Sequence, residues 1–441
     1  MTKRLLLPRS QAVGLDGRPL AGAKLYTYET GTSTPKSVYS DAARTVAHSN
    51  PVIADSAGRF PAMFLGSGDY RTVLADADDV TVATDDPVEG DVTTSDPAAG
   101  VFTSINDGPI GGLRNYVVNG DFRVNQRRVT VTTTGGYPVD RWPVDFSGGT
   151  LTAQRQGLAA ADAAIIAGDE SASWVLELAV AGGAGASDYA LAVHRIEDVR
   201  RLAGKTVTVS FYARRTAGAG NLAMDLVQHF GTSGTPSSDI DSIGATQFTL
   251  TSYFQRFSAT VEIPSIAGKT LGSDGNDYTA LSLWVSAGSS FSARTGGLAP
   301  QTATIQIMDV QIEIGPVAST FERRPFGVEL ALCQRYYCKT FPHDTAPAQN
   351  AGLAGALVAS SSGTAGFGAT WTYPVEMRAV PTITTYNPSA AGTGWRDVTN
   401  STDQAPAPSN ATGTKHADIL AATSDAATAY NYIHLTAEAE L

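Results

Sequence analysis

The stretch that decides the fold is residues 206–214, which read TVTVSFYAR. Every second side chain is apolar, and Thr, Ser and Tyr hydroxyls separate the apolar positions Val207, Val209, Phe211 and Ala213. Successive side chains of a β-strand point to opposite faces, so this alternation predicts a strand with one buried face. Such a strand must bury its apolar face against a second layer, and we therefore expect a β-sandwich around it.

The same period of two recurs along the chain, at residues 222–230, 281–285 and 432–441. No window keeps a helical period over several turns. The chain has 44 Gly, 22 Pro and only 17% charged residues, which suits many short strands joined by turns. The predicted fold class is all-β, with a small N-terminal β domain, a central jelly-roll sandwich and a C-terminal β-sandwich.

The length of 441 residues suits about three domains. We predict a β domain at 1–90, an acidic linker at 91–114, a jelly roll at 115–325, a connector at 326–340 and a β domain at 341–441. Between Arg71 and Arg114 there is no Lys or Arg but many Asp residues, which is typical of a solvated linker. Cation binding is the alternative, although the Asp spacing matches no EF-hand loop.

Residues 305–314 contain a change of phase. Ile305 and Ile307 share one parity, whereas Met308, Val310 and then Ile312 and Ile314 take the other. One extra residue near Ile307–Met308, a β-bulge, would reconcile the two halves and point Asp309 away from the Val310 face. Residues 328–337 follow as the best candidate for a short helix or stiff connector.

Composition and motifs exclude several classes of function. The net charge of -11 disfavours nucleic acid, and no apolar run is long enough to cross a membrane. Two cysteines, Cys333 and Cys338, indicate structural thiols and synthesis in a reducing compartment. The six histidines lack metal-ligand spacing and no serine lies in a nucleophile elbow, so we predict no catalytic residues, no metal and no cofactor. A pair of glycosidase carboxylates cannot be read from sequence.

Three segments resemble phage virion proteins. GAKLYTY at 22–28, TPKSVY at 34–39 and NPVIADSAG at 50–58 resemble the virion-anchoring, head-binding domain of podovirus tailspikes. NGDF at 119–122, VDRW at 139–142 and DVQIEIG at 309–315 are similar to carbohydrate-binding-module-like jelly rolls of tail fibres. STFERRP at 319–325, running into ELALCQRYY at 329–337, resembles the passage that follows this jelly roll. MRAVP at 377–381 and TAEAEL at 436–441 also resemble the C-terminal β domain of such fibres.

The resemblance implies details of the jelly roll. Modules of this kind often hold calcium between the Asn-Gly opening and an Asp of the last strand, here Asp121 and Asp309. Arg123 replaces the acidic residue that usually follows the Phe, which removes one ligand. Hydrogen bonding of Asp309 without a metal is therefore the favoured interpretation. Trp142 is expected inside the jelly roll.

The resemblance also implies a function, a non-enzymatic phage tail fibre or spike located in the virion as a tail appendage and made in the host cytoplasm. Its expected partners are further copies in a homotrimer, virion tail or portal-proximal proteins, and a host-surface glycan bound by the C-terminal half. Two alternatives remain, a head fibre or decoration protein and a short tailspike polysaccharide depolymerase. The receptor-binding candidates are Trp395, Tyr386, Asn387 and Trp284, chosen as rings and an amide on loops or outer faces. Trimer packing at the fibre tip is the alternative for Trp395, and covering of a second surface is the alternative for Trp284. The trimer-axis candidates are Val328, Leu330, Leu332 and Tyr336.

Overall fold

The computed structural model describes residues 11–14, 17–66, 68–88, 104–105, 108–109, 113–159, 162, 173–216, 220–362, 366–405, 412–421 and 428–441. The chain separates into two compact units, Met1–Thr103 and Ser104–Leu441. Each unit has its own hydrophobic core. The regular structure of both is almost entirely β-strand, so the predicted all-β class is confirmed.

The first unit is a small antiparallel β domain. Its strands are β1 (Lys24–Glu29), β2 (Val38–Tyr39), β3 (Val52–Ile53), β4 (Phe64–Leu65), β5 (Tyr70–Ala75) and β6 (Thr81–Val88). One sheet has the order β3-β1-β5-β6, and β2 pairs with β4 in a separate ribbon. Leu25, Met63 and Tyr70 are buried in its core, and the Tyr70 hydroxyl donates to the Ser37 carbonyl at 2.8 Å.

The acidic linker predicted at 91–114 lies mostly outside the described residues. Within that range two short strands, β7 (Ser104–Ile105) and β8 (Gly108–Pro109), pair with each other.

The jelly roll consists of two five-stranded antiparallel sheets packed face to face. Its strands are β9 (Val144–Ser147), β10 (Thr150–Gly157), β11 (Trp174–Ala181), β12 (Tyr189–Glu197), β13 (Thr206–Arg215), β14 (Gly220–His229), β15 (Ile240–Leu250), β16 (Gln255–Glu262), β17 (Tyr278–Ala287) and β18 (Thr302–Ile314). The sheet orders are β10-β11-β18-β13-β16 and β15-β14-β17-β12-β9. All four apolar residues of the opening stretch are buried between the sheets, and so is Trp142. The alternation of apolar and polar side chains in residues 206–214 therefore predicts the buried face correctly.

Strand β18 contains the predicted bulge, displaced by one or two residues. Ser210 pairs with Gln311 and Tyr212 pairs with Met308, so Asp309 and Val310 together oppose one residue of β13. Asp309 adopts a φ of 52°, in the left-handed region. The phase change is confirmed, but Met308 lies on the outer face of the sheet rather than beside Val310.

Short helical segments lie at Val199–Arg201, Ser289–Phe291, Ser292–Thr295 and Phe326–Gln334. The last of these, the connector helix, lies where the sequence predicts one. It follows the jelly roll and leads directly into the first strand of the C-terminal domain. Pro325 precedes its first residue, which suits a helix start because proline has no N–H to leave unpaired.

The C-terminal domain is organised around one long strand. Its strands are β19 (Tyr337–Lys339), β20 (Leu357–Ser362), β21 (Phe367–Thr372), β22 (Thr382–Tyr386), β23 (Trp395–Asp397), β24 (Thr402–Gln404), β25 (His416–Ala421) and β26 (Thr428–Glu438). Strand β26 pairs with β19, β20, β22 and β23, and β24 pairs with β23. The two-stranded sheet of β21 and β25 shares a core with the odd-numbered face of β26, where Ile433, Leu435 and Ala437 are fully buried. The alternation of residues 432–441 predicts this face correctly.

Candidate functional site

Trp395 does not lie on the surface. Its side chain is 0% exposed and packs edge-on against Phe367, with ring centroids 5.3 Å apart. A Cβ on Gly394 would collide with the Gln404 carbonyl oxygen, so the glycine allows this segment to approach β24 closely enough to turn the indole inward. The expectation of an exposed ring at Trp395 is wrong, because the glycine-rich loop ends in a strand whose core-facing position the tryptophan occupies.

Asn387 is also buried, and it organises the loop instead of facing solvent. Its Oδ1 accepts from the backbone N–H groups of Ser389 and Ala390, each at 2.9 Å, and its Nδ2 donates to Asp403 Oδ1 at 2.8 Å. Tyr386 is partly buried, edge-on to Phe341 at 5.4 Å. Neither residue offers a free platform, so both support neighbouring structure.

Trp284 lies on the outer face of its sheet but is only 1% exposed. The segment that contains residues 289–295 covers it. Phe291 packs on its ring at 5.3 Å, and the Arg294 guanidinium lies 4.8 Å from the ring centroid. The indole N–H donates to Asp225 Oδ1 at 2.8 Å. The ring therefore belongs to a second, smaller apolar cluster, and an exposed binding role for it is wrong.

The trimer-axis candidates divide between solvent and the interior of the chain. Val328 is 40% exposed on the connector helix, Leu330 and Leu332 are partly buried, and Tyr336 is buried. The Tyr336 hydroxyl donates to Glu197 Oε2 at 2.8 Å, and the Arg141 guanidinium stacks on its ring at 3.5 Å. Tyr336 therefore packs against the jelly roll of its own chain and is not free to line an axis.

Asp121 and Asp309 come together in space, with an arginine between them. Arg323 Nη2 lies 2.7 Å from Asp309 Oδ2, and Arg323 Nη1 lies 3.7 Å from Asp121 Oδ2. Arg123 Nε lies 2.9 Å from the same Asp121 oxygen. Burial raises the pKa of Asp121, an effect that both arginines oppose. Guanidinium groups occupy the positions that a calcium ion would need, so these residues do not fit a cation site.

The rest of the ERR passage at 322–324 also serves structure. Glu322 accepts the backbone N–H of Asn115 at 2.8 Å, and Arg324 donates to the Val117 carbonyl at 3.2 Å. Arg324 also pairs at 3.3 Å with Glu329 of the connector helix, whose carboxylate accepts the Asn119 N–H at 2.5 Å. These charged side chains bind the segment that follows the jelly roll, residues 322–329, to the segment that begins it, residues 115–119.

The end of β26 is held to the jelly roll by arginines. Glu440 is paired with Arg141 and with Arg127, the latter at 3.2 Å, and Arg195 Nη1 donates to the Leu441 carbonyl at 2.5 Å. Asp140 lies beneath this group, 3.6 Å from Arg127, and burial raises the pKa of its carboxyl to about 6. We call Arg127, Arg141, Arg195, Asp140 and Glu440 the arginine clamp. It ties the C-terminal domain to the jelly roll just beyond the C-terminal end of β26.

The other end of β26 presents an exposed surface, which we call the tyrosine face. Cross-strand pairing aligns four residues in one row: Val358, Tyr432, Arg396 and Asp403. In the next row on the same face, Ser360 opposes Tyr430. The Val398 N–H donates to the Tyr430 carbonyl at 3.1 Å. Tyr430 is 60% exposed, and Val358 and Val398 are also exposed. The members of the tyrosine face are Val358, Arg396, Val398, Asp403, Tyr430 and Tyr432. Two rings, two aliphatic groups and an ion pair thus share one open surface.

Polar contacts link the charged side chains of the tyrosine face to the loops beneath it. Arg396 Nη1 lies 3.0 Å from Asp403 Oδ1, the oxygen that also accepts from the buried Asn387. Behind Arg396, Asp397 accepts the backbone N–H groups of Thr399 and Asn400 at 2.8 and 3.0 Å. Burial raises the pKa of Asp397, but these bonds and the Asn400 amide outweigh it and lower the pKa overall. The ion pair of the face and the turn behind it are therefore both hydrogen-bonded to neighbouring residues.

Sequence reasoning missed Tyr430, Val358, Val398, Arg396 and Asp403. One signal was present, because the alternation of residues 432–441 already places Tyr432 on the face opposite the core. Extending the same parity two residues backwards reaches Tyr430. The residues on β20, β23 and β24 carry no such signal, because their pairing with β26 is set by tertiary structure.

The described residues contain no group of three or more His, Cys, Asp or Glu side chains placed to hold a metal ion. Among the helices in the described part of the chain, none is long and apolar enough to cross a membrane.

No protein-family model matches the sequence, and no curated protein matches it. Among solved structures, the chain is similar to one titled "CBM4 structure and function", at 16% identity and a TM-score of 0.26 over 45% of this chain and 99% of that one. It is similar to the family 11 carbohydrate-binding module from Clostridium thermocellum, at 11% identity and a TM-score of 0.26 over 43% of this chain and 98% of that one. It also resembles the enzymatically active domain of bacteriophage CBA120 tailspike protein 4, at 14% identity and a TM-score of 0.27 over 46% of this chain and 21% of that one. These likenesses are in fold alone and assign no ligand.

Proposed function

We propose that this chain is a non-enzymatic receptor-binding protein of a phage tail fibre or spike, anchored to the virion through its N-terminal unit. It binds a carbohydrate of the host surface through the tyrosine face. The observation that carries the proposal is Tyr430, a large ring that is 60% exposed on an antiparallel sheet, next to Tyr432 and the Arg396–Asp403 pair. Apolar ring faces pack on the C–H face of a sugar, and charged groups form strong hydrogen bonds with its hydroxyls.

The test compares two tyrosines of similar exposure. The full chain, Tyr430→Ala and Tyr253→Ala are applied to an array of bacterial surface polysaccharides. Tyr253 is 55% exposed on the loop between β15 and β16 of the jelly roll, so its variant is a matched control. Loss of one stacked ring is expected to weaken binding about 10-fold, roughly 1.4 kcal/mol.

Binding that survives Tyr430→Ala but is lost in Tyr253→Ala would move the site to the jelly roll. A chain that binds no polysaccharide of the array would count against carbohydrate as the receptor. Release of sugar from any bound polysaccharide would replace the non-enzymatic function with the depolymerase alternative.

The homotrimer is part of the same proposal. Phe326 and Val328 of the connector helix support it, because both are exposed large apolar side chains, and a short helix gains stability when a second copy covers such surface. Light scattering on the purified chain should give three times the chain mass. Val328→Asp should reduce that mass to one copy, and a monomeric parent protein would contradict the proposal.

A further inference from the structure

The tyrosine face pairs its cation with an anion, and this pairing constrains the ligand. Arg396 is the cation of the face, and its partner Asp403 lies at 3.0 Å. Among the described residues Asp403 is the hydrogen-bond partner of the Arg396 side chain, which leaves further N–H donors of the guanidinium available beside Tyr432. The side chain of Asp403 is 47% exposed, so its second oxygen is accessible to a ligand. The face therefore offers donors and an acceptor side by side with almost no net charge.

We infer that the tyrosine face binds a neutral sugar with adjacent hydroxyl groups and discriminates against acidic sugars; this inference rests on the proposed function. A hydroxyl both donates and accepts, so neighbouring hydroxyls of a pyranose can accept from Arg396 and donate to Asp403 at the same time. A sugar carboxylate can only accept, and it would bring a second negative charge close to Asp403.

The dimensions of the sheet suit this arrangement. Tyr432, Arg396 and Asp403 lie on three adjacent strands, β26, β23 and β24, in one cross-strand row. Neighbouring strands are about 4.8 Å apart, so the ring, the guanidinium and the carboxylate span roughly 10 Å, enough for one or two sugar residues. Tyr430 lies two residues from Tyr432 on the same face of β26 and extends the apolar platform.

The charge of the whole chain acts in the same direction. Its net charge of -11 repels a polyanionic glycan at long range. Since Arg396 is already compensated, recognition of the neutral sugar depends on short-range hydrogen bonds and ring packing. Its affinity should therefore change little with salt, because screening acts on net charges separated by more than about 10 Å at 0.1 M ionic strength.

The test uses Asp403→Asn, which removes the negative charge and leaves Arg396 uncompensated. The full-length protein and the variant are compared on neutral and uronic-acid-containing members of the polysaccharide array. The parent should bind neutral members. The variant should gain uronic-acid binding by at least about 5-fold relative to neutral binding, corresponding to roughly 1 kcal/mol. Asp344→Asn is the matched control, because it breaks an exposed Arg128–Asp344 pair of 2.7 Å outside the tyrosine face and should change neither class.

Preferential binding of uronic-acid members by the parent would overturn the inference and leave the proposed function standing. An unchanged preference in a folded Asp403→Asn variant would also overturn it. If that variant does not fold, salt titration of the parent decides: neutral-glycan affinity should change less than about 2-fold between about 0.05 and 0.5 M NaCl, and a larger loss contradicts the inference. Failure of Tyr430→Ala to weaken binding is a separate result, which would overturn the proposed function itself.

Discussion

Glu440 of the arginine clamp provides a sharp test of how the two domains of the second unit are joined. Its carboxylate pairs with Arg127 at 3.2 Å and with Arg141, and all three side chains are nearly buried. In Glu440→Gln, Arg127 still contacts Asp140 and Glu438. Among the described residues, Arg141 keeps the Arg195 carbonyl at 2.6 Å and the Tyr336 ring but has no carboxylate partner left. An uncompensated guanidinium would remain in the interior.

The expected cost follows from that burial. Removing one partner of a buried ion pair typically costs about 3–5 kcal/mol. Typical domains of 150–250 residues lose about 2–4 °C in melting temperature per kcal/mol, so a fall of about 6–20 °C is expected. The control Glu438→Gln alters a carboxylate that is 47% exposed and also contacts Arg127, and it should cost less than about 1 kcal/mol.

Differential scanning calorimetry of the full chain measures both variants. Adding Arg141→Met to Glu440→Gln should restore part of the lost stability, because the stranded cation is then removed. Equal melting temperatures for Glu440→Gln and Glu438→Gln would refute the conclusion that the clamp is a buried, energetically important junction. Sugar binding at 25 °C should be unchanged in folded Glu440→Gln, since the tyrosine face lies at the other end of β26.

Three further predictions concern particular positions. Burial raises the pKa of Asp140 from 3.8 to about 6, so the native state holds this proton more tightly than the unfolded chain. The contribution of the protonated carboxyl to stability is therefore present below about pH 4 and is lost as the pH rises through 6. Denaturation measured as a function of pH should show this loss, of up to about 3 kcal/mol, in the parent and not in Asp140→Asn. Gly120→Ala should destabilise the jelly roll by about 1–3 kcal/mol in urea unfolding, because the new Cβ would collide with the Val310 carbonyl oxygen at the bulge; an unchanged midpoint would show that the bulge can move. Trp395→Ala should lower the free energy of unfolding by about 3–5 kcal/mol, because it leaves a cavity in the core. The folded fraction should bind polysaccharide normally. A stable variant that loses binding would show that Trp395 contacts the ligand.

The bulge of β18 shows how far a pattern can specify structure. Parity in residues 305–314 requires one extra residue, but it does not say which residue takes the unusual backbone conformation. At the bulge, residues of the segment that begins the jelly roll contact β18. The Val310 N–H donates to the Gly120 carbonyl at 2.9 Å, and Asn115 Nδ2 donates to the Val310 carbonyl at 3.3 Å. Those contacts cross nearly 200 residues of chain, so no local window contains them.

The predicted site residues illustrate the same limit. A tryptophan in a glycine-rich loop can be exposed or can belong to a core. The tertiary structure places Trp395 at a core-facing position of β23, where Gly394 lies against the Gln404 carbonyl oxygen. The sequence places Asp121 and Asp309 near each other only through resemblance, and it gives no sign that the Arg323 guanidinium lies between them.

The sequence by itself determined the strands and their buried faces, as in residues 206–214 and 432–441, because side-chain alternation is a local consequence of the pleated backbone. It also determined the short helix that follows the jelly roll. Only the tertiary structure decided which strands become neighbours, and therefore that Tyr432, Arg396 and Asp403 form one row on an open surface. Cross-strand pairing is set by packing between distant segments, so a surface built from several strands becomes visible only once the chain has folded.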